Sequence, residues 1–211
     1  MKFSEMPYKR PDLDELKKQM EELIGELEAA ESFQKAMDTF MKMETLEKSI
    51  ETQHSLAHIR YDINTKDAFY EEEVKFWNSA LPQLQEYQQK WTKVMLESGF
   101  RAEFEKEFGN VMFLNAELSL KTFSPDIIPE LQKENDLCQE YTKLIASAQI
   151  PFEGKTYTLS QLTPFKTDSD DARRLAAWKA EGAWYKEHQD KLDSIYDELV
   201  KLRDTMGRKL G

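Results

Sequence analysis

The sequence predicts a mainly α-helical protein, a multi-helix bundle of long antiparallel helices interrupted by one short β-hairpin. Three observations carry that expectation. Apolar residues recur at three- and four-residue spacing through most of the 211-residue chain, the period of helices with one buried face. Glycine and proline number only seven each, too few for the turns of an all-strand architecture. The period breaks once, after Gln149, where Ile150-Pro151-Phe152 and Thr156-Tyr157-Thr158 flank Glu153-Gly154-Lys155, the pattern of a hairpin with a glycine turn.

Residues 1–10 read as an extended arm. Pro11 and Asp12 open the first helix, because proline suits the first helical position and an acid suits the positive end of the helix dipole. Leu13, Leu16, Met20, Leu23, Ile24 and Leu27 form its stripe. Ser32 is a good cap for a second helix, whose stripe (Phe33, Met37, Phe40, Met41, Leu46, Ile50, Leu56, Ile59) runs to about Ile63. Asn64 and Thr65 supply the next cap, with Asp67 in the first turn. A third helix carries Phe69, Tyr70, Phe76, Trp77, Leu81, Leu84, Tyr87, Trp91 and Met95, with Pro82 placed to kink or divide it. Gly99 ends that run. A short helix near Phe100–Phe108 stops at Gly109, and Asn110 caps another that bears Val111, Leu114, Leu118 and Phe123.

Ser124-Pro125-Asp126 then combines a cap, a first-position proline and an acid. Leu131, Leu137, Tyr141, Leu144 and Ile145 continue the stripe up to the hairpin. Pro151 in the first arm of that hairpin implies an edge or an unpaired N–H position. An isolated two-stranded hairpin is marginal in water, so this one needs a helix or a partner strand. From Asp168 the pattern is helical to the end, capped by Asp168 or Ser169. Leu175, Trp178, Trp184 and Tyr185 form one apolar set, and Leu192, Ile195, Tyr196, Leu199, Leu202 and Met206 the next. The two helices meet near His188, beyond the weakening Gly182. The chain divides by this reading into 1–123, a helical region; 124–165, a capped helix plus hairpin; and 166–211, the last helices, in effect one continuous helical domain.

Composition narrows function. The net charge is −11, which repels phosphate backbones and anionic bilayers, so neither nucleic acid nor membrane is expected as a partner. One cysteine, Cys138, permits no internal disulfide. No stretch has signal-peptide character or the length of about 20 apolar residues that spans a bilayer. A soluble cytoplasmic protein is the expectation.

Candidate chemistry is sparse. His54 and His58 sit four residues apart, the spacing of helical zinc sites, but Ser55 stands where a zinc peptidase has its base glutamate. They are weak metal candidates, with two surface histidines as the alternative. Glu51 and His54 make half of a carboxylate di-iron pair, and neither His58 nor His188 supplies the other half. Glu71-Glu72-Glu73 points round a helix and reads as a solvated face. Cys138 reads as a small core or boundary residue, and the four tryptophans as core. No P-loop, dinucleotide fingerprint or nucleophile elbow is present. No catalytic residue is assigned.

Four segments carry a resemblance: His58–Glu73 (HIRYDINTKDAFYEEE), Ala116–Pro125 (AELSLKTFSP), Glu140–Phe165 (EYTKLIASAQIPFEGKTYTLSQLTPF) and Ile195–Gly211 (IYDELVKLRDTMGRKLG). They resemble the N-terminal region of the oligoendopeptidase F family of thimet-oligopeptidase-like zinc metallopeptidases. The resemblance implies a non-catalytic part of such an enzyme. Its helices would wall a channel for short peptides, and zinc would lie in a catalytic half with H-E-x-x-H, absent from these residues. No cofactor is implied for this chain itself. The implied partners are that catalytic half in the same polypeptide and short peptides, with self-association through exposed apolar surface. The hairpin residues Ile150, Phe152 and Tyr157 are the candidate channel or partner edge. A freestanding acidic helical module for protein binding is the alternative.

Overall fold

A computed structural model describes residues 2–211. Among the described residues it contains nine α-helices, two short 3-10 turns and one two-stranded antiparallel sheet. The chain divides into two compact units. One comprises residues up to Gln132 together with Lys209–Gly211, and the other Lys133–Arg208.

The first unit is built on α1 (Leu13–Glu28), α2 (Phe33–Ile63) and α3 (Ala68–Glu97), each packed on the other two. Four-residue links join them, too short for anything but antiparallel neighbours. Asp12, not Pro11, starts α1: its side chain accepts hydrogen bonds from the N–H groups of Asp14 and Glu15. Ser32 caps α2 through Lys35 N–H. Asp67, not Asn64 or Thr65, caps α3, accepting from Phe69 and Tyr70 N–H. Pro82 sits inside α3 without dividing it. The core of this unit gathers Met20, Ile24, Met43, Leu84, Met95 and Phe104. Full burial of such side chains contributes about 1.5–3 kcal/mol apiece, so several together outweigh the roughly 3 kcal/mol that a proline inside a helix costs.

The remaining helices of this unit are α4 (Arg101–Phe108) and α5 (Asn110–Ser119). Gly109 joins them with φ +84, a left-handed conformation that glycine adopts without a side-chain penalty. Asn110 is therefore the first helical residue rather than a cap. The α5 stripe is also rotated from expectation. Phe113 is buried, while Val111, Leu114 and Leu118 face outward. A 3-10 turn at Pro125–Ile127, capped by Ser124, leads into α6 (Ile128–Ala146). Lys209 returns to this unit, donating to the Asp126 carbonyl at 2.8 Å and pairing with Glu130 at 2.7 Å.

The second unit holds the hairpin, β1 (Ile150–Phe152) and β2 (Lys155–Tyr157), then α7 (Leu159–Lys166), α8 (Asp171–Glu187) and most of α9 (Gln189–Leu210). Ile150 pairs with Tyr157, Pro151 with Thr156 and Phe152 with Lys155. Glu153 and Gly154 both take positive φ, +48 and +75, the twist that two-residue hairpin loops require. Thr158 and Gln161 form a reciprocal capping box for α7. Asp170, one residue beyond the expected Asp168 or Ser169, caps α8. Cys138, expected in the core or at its boundary, is exposed.

Candidate functional site

A part-buried cluster of convergent polar side chains lies where the N-terminal arm crosses α2 and α3 in the first unit. Glu73 on α3 is only 4% exposed. Arg10 donates to it twice, Nε to Oε2 at 2.9 Å and Nη2 to Oε1 at 2.7 Å. The Tyr8 hydroxyl donates to the same Oε2, and Trp77 Nε1–H donates to the Tyr8 oxygen at 3.2 Å. Burial opposes the charge on Glu73, and the hydrogen bonds from Arg10 and Tyr8 outweigh it, so its carboxyl is held below the usual range. Burial first, and then the bond to Glu73, pushes the Tyr8 phenol up. Lys9 N–H donates to Gln53 at 2.8 Å, and Arg60 donates to the Met6 carbonyl at 2.6 Å and the Tyr70 hydroxyl at 2.8 Å. A carboxylate saturated by donors is a poor base and a poor nucleophile. The chemistry available here is ionic anchoring of the arm.

Glu73 corrects the solvated-face reading of Glu71-Glu72-Glu73: Glu72 is exposed, and Glu73 is the buried member. One turn separates it from Tyr70 and another from Trp77, so it occupies an apolar-stripe position. That was the signal in the sequence.

His54 and His58 flank the same cluster. Their rings lie 4.4 Å apart, and the His54 ring meets Trp77 edge-on at 5.6 Å. Burial, then the neighbouring His58, lowers His54 to about 4 against the pull of Glu51. Burial also lowers His58. His58 Nε2 is buried without a hydrogen-bond partner. Among the described residues no three His, Cys, Asp or Glu side chains converge as a metal site would need. No third His, Cys, Asp or Glu joins the pair among the described residues, and Glu51 stays exposed on the surface of α2.

In the second unit, Ile150 and Phe152 are buried against Leu162, Ala177 and Trp184, with Tyr157 and Phe165 packed on them. The hairpin's apolar side chains are thus held by α7 and α8. Its tip is fastened from α8, where Arg173 grips both oxygens of Glu153 at 2.7 Å and Asp168 at 2.8 Å, and lies over the Phe165 ring. Ile150 and Phe152 are thereby sealed from solvent, while Tyr157 is half-buried.

Residues 3–123 match the family model described as the peptidase M3 N-terminal domain. The chain belongs to the peptidase M3 N-terminal domain family. Solved structures extend that likeness over the whole chain. A structure assigned to oligoendopeptidase F superposes with TM-score 0.98 at 40% identity, covering 100% of this chain and 37% of that one. PZ peptidase A, solved with an inhibitor, gives TM-score 0.96 at 37% identity over 100% and 37% of the two chains. An oligoendopeptidase F from Bacillus anthracis str. Ames gives 0.97 at 36% identity over 100% and 39%. No curated protein sequence matches the chain.

The oligoendopeptidase F resemblance stands. Its His58–Glu73 segment lies inside the M3 N-terminal domain match, and the later segments lie within the structural overlays. The chain spans under two-fifths of the length of these solved relatives. Among the described residues of this M3 N-terminal domain, no helix is long and apolar enough to cross a membrane.

Proposed function

We propose that the chain is the non-catalytic N-terminal part of a cytoplasmic zinc oligopeptidase of the oligoendopeptidase F kind. Its long helices form one wall of a channel that restricts substrates to short peptides. The observation that supports this best is the overlay of the whole chain on peptidase structures at 36–40% identity. Zinc and the base that activates its water would belong to the remaining part of the polypeptide; His54 and His58 bring no third ligand with them among the described residues.

The test compares the 211-residue chain with the polypeptide that continues beyond it, using a quenched fluorescent peptide of about eight residues and a folded protein as substrates. The longer polypeptide is expected to cleave the peptide but not the folded protein, losing activity with a chelator and regaining it with zinc. The 211-residue chain is expected to cleave neither. Metal-dependent cleavage by the 211-residue chain would overturn the reading. So would a reading frame that stops at Gly211 with no H-E-x-x-H, which would favour a freestanding binding module.

A further inference from the structure

Helix α8 has two apolar faces. One, formed by Ala177 and Trp184, is buried against the hairpin. The other runs outward through Leu175, Trp178 and Tyr185, all exposed, at the three- and four-residue steps of a single stripe completed by Gly182. A side chain at Gly182 would meet nothing within 4 Å, so packing within the molecule does not require glycine there. Its effect is a notch between Trp178 and Tyr185. Lys179 and Lys186 border the stripe. Both are exposed, and neither side chain has an ion pair or hydrogen bond among the described residues. The acid on the opposite border, Glu181, is already paired with Lys166 at 2.5 Å. On a chain of net charge −11, this is an aromatic strip with an uncompensated positive margin.

Such a strip is ill suited to permanent burial. Lysine is depleted from the cores of stable interfaces, and covering two unpaired ammonium groups carries a desolvation cost. A solvated ligand that brings carboxylates to the lysines and apolar side chains to the aromatic rings meets both demands. We propose that the outward face of α8 is a docking strip for peptides that combine acidic with apolar or aromatic residues. The choice of a peptide as occupant rests on the peptidase reading above; the charge and shape preferences rest on α8 alone.

Direct binding to the 211-residue chain tests it, with acetyl-Glu-Leu-Phe-Glu-Leu-Glu-amide as the probe. Trp178 is 54% exposed, whereas Trp77, Trp91 and Trp184 are at most 6% exposed, so quencher-accessible tryptophan emission reports on the strip. The peptide is expected to protect that emission and to give saturable heat in calorimetry. Replacing its three glutamates by glutamine should weaken binding about tenfold, as should the surface substitutions Lys179→Glu and Lys186→Glu together. Trp178→Ala should reduce the calorimetric signal similarly. Undetectable binding, or equal affinity for the glutamate and glutamine peptides, would overturn the proposal. So would concentration-dependent dimers abolished by Trp178→Ala, which would make a second copy the occupant. None of these readouts needs catalysis, so the strip and the peptidase reading fail or stand separately.

Discussion

Replacing Glu73 by alanine should destabilise the first unit well beyond what its place in a run of three glutamates suggests. The substitution removes the acceptor of two Arg10 hydrogen bonds and one from Tyr8. Charge-assisted bonds contribute about 1.5–3 kcal/mol net each when intact, and breaking a fully buried ion pair costs about 3–5 kcal/mol. The Arg10 side chain, however, is 46% exposed against 5% for Glu73, so the orphaned guanidinium regains water. The expected loss is therefore about 2–3 kcal/mol, or about 5–10 °C in melting temperature for a chain of this size. Scanning calorimetry measures it, with Glu72→Ala as the control. Glu72 holds only an exposed pair with Lys75 at 2.7 Å, and its loss should stay under about 0.5 kcal/mol. The sign with pH is also set. The folded-state acidity of Glu73 is depressed, so its contribution is present above the ordinary carboxyl range and fades as pH falls through the lower folded value. The Glu73→Ala deficit should shrink in acid. Equal deficits for Glu73→Ala and Glu72→Ala at neutral pH would refute the anchoring argument.

Two further outcomes follow from burial. His54 titrates at about 4 when folded, against 6.5 for the free side chain, so the unfolded chain takes up the proton first as pH falls. Stability should decline between about pH 6.5 and 4, and a paired His54→Gln, His58→Gln variant should flatten that part of a urea-midpoint profile. Leu162, fully buried in the second unit, should cost about 2–5 kcal/mol on truncation to alanine. Exposed Leu175 on α8 should cost under about 0.5 kcal/mol; comparable losses in denaturant titrations would contradict the assignment of faces.

Much of the fold was legible because helix signals are local. Ser32, Ser124 and Gly109 mark their boundaries with chemistry that acts within one turn. The hairpin announced itself through Glu153-Gly154 in the same way. Errors of one to three residues at Pro11, Asn64 and Asn110 arose where several capping residues adjoin, and the three-dimensional hydrogen bond decides among them. Faces were harder. α5 carries apolar residues on both sides, so Phe113 and the Val111 stripe compete until the neighbours are known. In α8, Trp184 was grouped with Leu175, Trp178 and Tyr185, yet it faces the opposite way. The anchoring cluster was hidden for a different reason. Its contacts join residues 63 to 69 positions apart, and no local pattern carries such a pairing. Only the placement of Glu73 on an apolar stripe hinted at it.

Lys209 gives the chain an unusual order of completion. The first unit is made of two separated pieces of sequence, joined when Lys209 meets Asp126 and Glu130, whereas the second is one uninterrupted stretch. A ribosome therefore delivers every residue of the second unit before the last tie of the first can form. The unit begun earliest is the one finished last, and a nascent chain arrested before Lys209 would carry a complete second unit and an unfinished first one.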